Sequence, residues 1–139
     1  MNVLFDTSAI FKRYSGEKGM VRILQIQLEA TQITVAAHCK TEVASALTRQ
    51  WREGLFTDAE YIRVLAEIDR DFAELTVMPL TVQVENHAMA AMRLDSLGAM
   101  EALHLGTAQT AQVHLFVTAD RRQALAAQQL GLPTELVEA

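Results

Sequence analysis

Asn2-Val3-Leu4-Phe5-Asp6 decides how the rest of the chain is read. A short apolar run ending in an acid reads as a strand buried on both faces, the kind found in parallel sheets. A helix from about Ser8 to Tyr14 follows, then the loop Ser15-Gly16-Glu17-Lys18-Gly19. The next helix carries Val21, Leu24, Ile26 and Leu28 and ends near Ala30. Residues 32–37 form a second strand, and Cys39 to Glu53 reads helical with Gly54 at the position just past its end. Thr57-Asp58-Ala59-Glu60 has the form of a capping box, with Phe56 and Tyr61 spaced as a hydrophobic staple around it. A third strand is expected from Leu75 to Leu80, a helix from Thr81 to about Leu97, a break at Gly98 and another helix from Met100 to about Gln112. His114–Thr118 makes a fourth strand, Arg121–Leu130 a helix closed by Gly131, and Leu132–Val137 a last edge strand that tolerates Pro133.

Strands alternating with helices imply an α/β fold, a mostly parallel central sheet of four to five strands with helices on both faces. The 139 residues suit a single domain, 1–139, with no repeat and no low-complexity linker. Half the residues are apolar and mean hydropathy is +0.12, enough to build a packed core. No apolar run approaches the roughly 20 residues of a membrane span, and the opening stretch has no basic segment ahead of an apolar one, so neither a membrane protein nor a secreted one is expected. The lone Cys39 excludes an internal disulfide framework and a cysteine-rich zinc site, which fits a reducing, cytoplasmic setting. A net charge of −5 argues against holding nucleic acid by bulk positive charge, yet leaves room for a nuclease whose acids sit in one metal site.

In a parallel sheet the binding crevice lies beyond the carboxyl ends of the strands. Asp6 ends the first strand and Asp120 lies just past the fourth, so both fall on that edge. Each also reads as a helix N-cap, and Asp120-Arg121-Arg122-Gln123 imitates a capping box; one carboxylate has lone pairs enough for both roles. Glu42 stands in the first turn of its helix, where the dipole favours an acid. Glu101 is the sole acid in Leu97–Ala108, a stretch apolar nearly all round. Such a helix is expected to be buried, and an isolated buried carboxylate is costly unless paired or bound to metal. Four carboxylates converging on one edge repel one another unless a hard cation such as Mg²⁺ or Mn²⁺ joins them. Such an ion with a bound water hydrolyses phosphodiesters.

Other constellations are weaker. Glu101 and His104 have helical i,i+3 spacing, but a di-iron bundle needs a second copy of that pair, so His104 reads as a hydrogen-bonded structural histidine. His38 beside Cys39 lacks the partners of a zinc site and reads as packing or surface. The Gly16–Gly19 segment lacks the spacing of a phosphate-binding loop, and no nucleophile elbow is present. Met78, Met89, Met92 and Met100 read as core filler. Trp51 with Arg49 and Arg52 reads as a partly buried or partner-facing helix end, or else as an RNA-stacking edge. Lys12, Arg13, Lys40, Arg49, Arg121 and Arg122 are the basic candidates for a phosphate backbone, with a solvated surface as the alternative for each.

Val3-Leu4-Phe5-Asp6-Thr7-Ser8-Ala9, Thr41-Glu42-Val43, Met100-Glu101-Ala102-Leu103-His104-Leu105-Gly106-Thr107-Ala108 and Phe116-Val117-Thr118-Ala119-Asp120 together resemble, in order and approximate spacing, the motifs of the PIN-domain family, the ribonuclease fold of VapC-type toxins. The resemblance implies a PIN-like three-layer α/β/α sandwich and a divalent-metal-dependent endoribonuclease. Asp6, Glu42, Glu101 and Asp120 would then form the catalytic metal site, with Thr7, Ser8 and Thr118 as supporting hydroxyls or helix caps. It also implies Mg²⁺ or Mn²⁺ as cofactor, an RNA substrate, a small cognate antitoxin and a homodimer. The departure is Glu101, where the family usually has Asp; the extra methylene points to the alternative of a non-catalytic PIN-like module binding RNA or protein. A phospho-accepting receiver domain shares strand-end acids, but lacks here the paired acids after the first strand.

Overall fold

The computed structural model describes residues 1–94 and 96–137. Strand β1 (Asn2–Phe5) leads into two short helices, α1 (Thr7–Ile10) and α2 (Lys12–Ser15), then α3 (Met20–Glu29) and β2 (Gln32–Ala36). Helices α4 (Cys39–Arg52) and α5 (Asp58–Ala73) precede β3 (Thr76–Met78). The second half runs α6 (Val82–Ala91), α7 (Ala99–Ala111), β4 (Leu115–Thr118), α8 (Arg121–Gln129) and β5 (Thr134–Leu136). The five strands form one sheet in the order β3-β2-β1-β4-β5, and every pairing is parallel. The chain builds outward from β1 through β2 to β3, then returns to start again at β4 on the other side of β1. The order therefore reverses between β1 and β4, and in open α/β sheets the crevice at such a reversal is where ligands bind.

Alternation along β1 divides the core. Val3 and Phe5 join the apolar cluster that includes residues of α1 to α5, while Leu4 joins the one with Leu105, Ala108, Phe116, Ala126 and Ala127. All three are fully buried, as expected of a central strand with its side chains alternating between two helical layers. The Thr57–Glu60 capping box is present in both directions, at 3.1 Å and 2.9 Å, and Phe56 and Tyr61 both pack on the first cluster. Gly54 and Gly131, with φ of +83° and +78°, occupy the left-handed position that ends a helix without a Cβ penalty.

Several sequence expectations need adjustment. The expected helix from Ser8 to Tyr14 is two short helices meeting at Phe11. β3 is shorter than Leu75–Leu80 because β2 offers it partners only at Thr34, Val35 and Ala36. The helix expected to run to Leu97 ends as α6 at Ala91, with Met92 closing it; position 95 of that stretch lies outside the described residues. Gly98 does separate it from the next helix, as the residue before α7. Met89, Met92 and Met100 are exposed rather than core filler, since α6 and the start of α7 turn them outward. Trp51 is a packed helix end: it stacks on Tyr61 with ring centroids 4.7 Å apart and donates to Asp58 Oδ1 at 2.9 Å.

Gly106 sets the spacing of α6 and α7. A Cβ there would stand 2.4 Å from Val84 O and 2.9 Å from Ala88 N. The missing side chain lets the backbone of α6 close against α7, which carries Glu101 and His104.

Candidate active site

A cleft of about 260 Å³ opens beyond the carboxyl ends of β1 and β4, and Asp6, Glu42, Glu101 and Asp120 all line it. Thr7, Ser8, His104, Arg49 and Gln123 complete its polar wall. The four acids arrive from four places: the end of β1, the first turn of α4, the first turn of α7 and the residue that opens α8.

Asp6 is the most constrained. It is 2 % exposed and caps α1, its Oδ1 accepting from Ala9 N at 2.9 Å and from the Ser8 hydroxyl at 2.7 Å. Its Oδ2 accepts a short hydrogen bond from the Thr118 hydroxyl on the neighbouring strand. Burial pushes the Asp6 carboxyl above the usual carboxylate range, although these hydrogen bonds and nearby His104 oppose it. The two hydroxyls also receive: Ser8 Oγ accepts from Ala119 N at 2.9 Å and Thr118 Oγ1 from Asp120 N at 3.0 Å. Support for Asp6 and anchorage of the turn into α8 are thus one network, since each hydroxyl is donor and acceptor at once.

Asp120 caps α8, with Oδ1 accepting from Arg122 N at 2.9 Å and more weakly from Gln123 N at 3.4 Å. The reciprocal half of the expected capping box is not made, because Asp120 N donates instead to Thr118 Oγ1, while Gln123 Nε2 donates to Glu101 O at 3.1 Å. Glu42 Oε1 is held by Thr7 Oγ1 at 2.6 Å and His104 Nε2 at 2.8 Å. Burial raises the Glu42 pKa, but those two hydrogen bonds and the histidines outweigh it and hold the carboxylate below its usual range. His38, at the start of α4, brings Nε2 to 3.3 Å from the same oxygen. Burial foremost, then the neighbouring His104, lowers the His38 pKa, so its imidazole is neutral at pH 7.

Glu101 departs from the expectation of an isolated buried carboxylate. Its side chain is 28 % exposed, and it sits in the first turn of α7, ahead of the buried stretch that starts at Ala102. Oε1 accepts from Gly98 N at 3.0 Å and Oε2 faces Arg122 Nη2 at 3.3 Å. The first turn of a helix has spare N–H groups, and the longer glutamate reaches back to one of them.

The basic candidates separate in space. Arg49 lines the cleft, two turns along α4 from Glu42. Arg122 stands beside it through Glu101 and also donates to Ser96 O at 3.2 Å. Lys12 is buried, its ammonium bound to Lys18 O at 3.0 Å, and it does not line the cleft. Arg13 is turned to Gln27 and Asp71 at a separate depression. Lys40 pairs with Asp69 at 2.8 Å on the surface, and Arg121 opens α8 on an exposed face outside the cleft lining. Gln123, Phe11 and Ala46 also line the cleft and carried no site signal; for Gln123 the helical spacing from Asp120 was the only available hint.

The wall of carboxylate and hydroxyl oxygens suits a hard divalent cation, because such ions prefer oxygen donors. Glu42 and Asp120 each have one carboxylate oxygen engaged within the chain, leaving the other to face an ion. Among the described residues no helix is long and apolar enough to cross a membrane.

No curated protein sequence matches the chain. Solved structures do resemble it. FitAcB from Neisseria gonorrhoeae superposes with a TM-score of 0.72 at 13% identity, covering 95% of each chain. A DNA-bound VapBC from Salmonella typhimurium gives 0.69 at 15% identity and 97% of each chain. VapC20 of Mycobacterium tuberculosis, described as a sarcin-ricin loop cleaving toxin, gives 0.68 at 13% identity over 89% of this chain and 94% of that one. At such identities the likeness speaks for the fold. The PIN domain family model matches residues 3–128, a span that includes all four cleft acids, and the chain belongs to the PIN domain family.

Proposed function

We propose that the protein is a Mg²⁺- or Mn²⁺-dependent endoribonuclease, the toxin of a toxin–antitoxin pair. The observation that carries this reading is the meeting of Asp6, Glu42, Glu101 and Asp120 in one cleft at the reversal of strand order. Asp6, Glu42 and Asp120 would hold the cation, with Glu101, whose Oε2 now faces Arg122, beside them. The bound ion supplies positive charge to the phosphate and leaving oxygens and lowers the pKa of the attacking water.

The chain's own groups do the positioning. Ser8, Ala9 and Thr118 fix both oxygens of Asp6, so the carboxylate is oriented before any ligand arrives. Thr7 and His104 hold Oε1 of Glu42 and so fix the carboxylate on the cleft wall. Arg49 on the cleft wall and Arg122 at its edge offer guanidinium groups to the RNA backbone, a local attraction that overcomes a net charge of −5. The antitoxin and homodimer belong to the same reading; the likeness to VapBC structures supports them.

The second reading, a PIN-like module that binds without cutting, draws on the engagement of both Glu101 oxygens. One experiment separates the two. Purified, partner-free protein is incubated with a mixed RNA pool in Mg²⁺, Mn²⁺ or EDTA, beside Asp6→Asn. Metal-dependent cutting lost in the variant supports the nuclease. RNA binding without cutting in either metal supports the module.

A further inference from the structure

His38 and His104 bring their Nε2 atoms close to the same carboxylate oxygen. Glu42 Oε1 lies 3.3 Å from His38 Nε2 and 2.8 Å from His104 Nε2. The two rings are 4.4 Å apart, centroid to centroid, and the three ligand atoms all lie within 4.8 Å of one another. Glu42 and His104 line the acid cleft, whereas His38 lines the apolar cavity behind it, with Leu80, Val84 and Met100. Glu42 therefore stands on the wall shared by two donor sets, one of oxygens and one containing two imidazoles.

We infer that His38, Glu42 and His104 form a second cation site, selective for a borderline metal such as Zn²⁺, that competes with the acid cleft for Glu42. Two imidazoles and one carboxylate suit Zn²⁺, Co²⁺ or Ni²⁺ far better than Mg²⁺, which keeps to oxygen. Three protein ligands with the remaining position taken by water is a familiar zinc arrangement. The ligands are held in advance: His38 and Glu42 are one turn apart on α4, and His104 is buried in α7 at 3 % exposure. In the metal-free chain His104 Nε2 donates to Glu42 Oε1; a cation takes the place of that proton, and Nδ1, which has no hydrogen-bond partner among the described residues, is the ring nitrogen left to carry one. His38 Nε2 likewise exchanges its 2.9 Å hydrogen bond to Met100 O for the ligand bond. A cation held through Glu42 Oε1 puts its positive charge on the carboxylate that also serves the acid cleft, and that charge opposes a second cation there.

The binding part stands whether or not the protein cuts RNA; only the competition rests on the nuclease reading. The test is titration of the full chain with Co²⁺, followed by its visible ligand-field absorption, in wild type, His38→Gln and Asp120→Asn. The expected result is an intense low-coordinate spectrum in wild type and Asp120→Asn, displaced by Zn²⁺. His38→Gln should bind more than about 100-fold more weakly, since even losing a hydrogen-bond partner behind a metal ligand costs about 10–100-fold. Absence of that spectrum in wild type, its survival in His38→Gln or its loss in Asp120→Asn overturns the assignment. If the protein cuts RNA, the Zn²⁺ concentration that half-inhibits cutting should rise by the same factor in His38→Gln; equal inhibition in both proteins removes the competition while leaving the binding result to stand alone.

Discussion

Arg122 Nη2 donates to Glu101 Oε2 at 3.3 Å, joining the first turns of α7 and α8 at the edge of the acid cleft. The guanidinium therefore occupies one oxygen of an acid that a cation would need. Removing it should release Glu101 to the metal. A unit charge a few ångströms away in a solvated site is worth about 1 kcal/mol, so Arg122→Ala should tighten Mg²⁺ binding about five-fold. Calorimetry reads this directly, and unchanged or weaker binding counts against a place for Glu101 in the cation site. Glu101→Ala should lower stability by about 1 kcal/mol in chemical denaturation, the combined effect of a lost helix cap and an exposed ion pair.

Asp6 links function to instability. Its folded pKa is raised, chiefly by burial, so between the unfolded value near 4 and that raised value the native state binds more protons than the unfolded state. Stability therefore falls as pH rises through this window, because ionising Asp6 inside the fold opposes folding. Asp6→Asn removes the charge and keeps acceptors for Ala9 and Ser8, with Thr118 turning its hydroxyl to receive from the new amide. Thermal melts without metal at pH 7 should show Asp6→Asn a few degrees more stable than wild type. Mg²⁺ should raise the melting temperature of wild type and leave Asp6→Asn where it was.

Gly106→Ala reverses the usual helix preference. In an exposed helix interior alanine is favoured by roughly 0.5–1 kcal/mol, but here its Cβ would meet Val84 O at 2.4 Å. The clash is with backbone, which cannot rotate away. Overpacking of this kind costs about 1–3 kcal/mol. Denaturant unfolding should show a loss in that range, and since α7 carries Glu101 and His104, metal affinity should fall with it.

Cys39 is the only thiol; it is fully buried, and burial pushes its pKa up to about 12. Alkylation proceeds through the thiolate. Iodoacetamide at pH 8 should leave the native protein unmodified over a time in which the urea-unfolded chain reacts fully, as followed by intact mass. Rapid native labelling would mean that the start of α4 opens readily.

Much of this molecule is determined locally. The Val3-Leu4-Phe5 run forms a central strand because all three side chains are apolar, so it can be buried on both faces. The Thr57–Glu60 box forms because its two hydrogen bonds span only three residues. The placement of Asp6 and Asp120 on one edge follows from β1 and β4 being parallel, since each acid ends its strand in the same direction. What the tertiary structure alone decided concerns groups distant in sequence. Lys12 reads as a basic residue after a motif, yet its ammonium is captured by Lys18 O once the loop folds over it. Glu101 reads as buried because its neighbours are apolar, but its place in the first turn and the approach of Arg122 from α8 turn it to the cleft edge. His38 has no visible purpose beside Cys39 until α7 packs against α4 and brings His104 to the same Glu42 oxygen. Local hydrogen bonds and periodic burial leave their pattern in neighbouring residues, whereas the meeting of side chains from separate helices depends on packing distances that no short stretch of sequence contains.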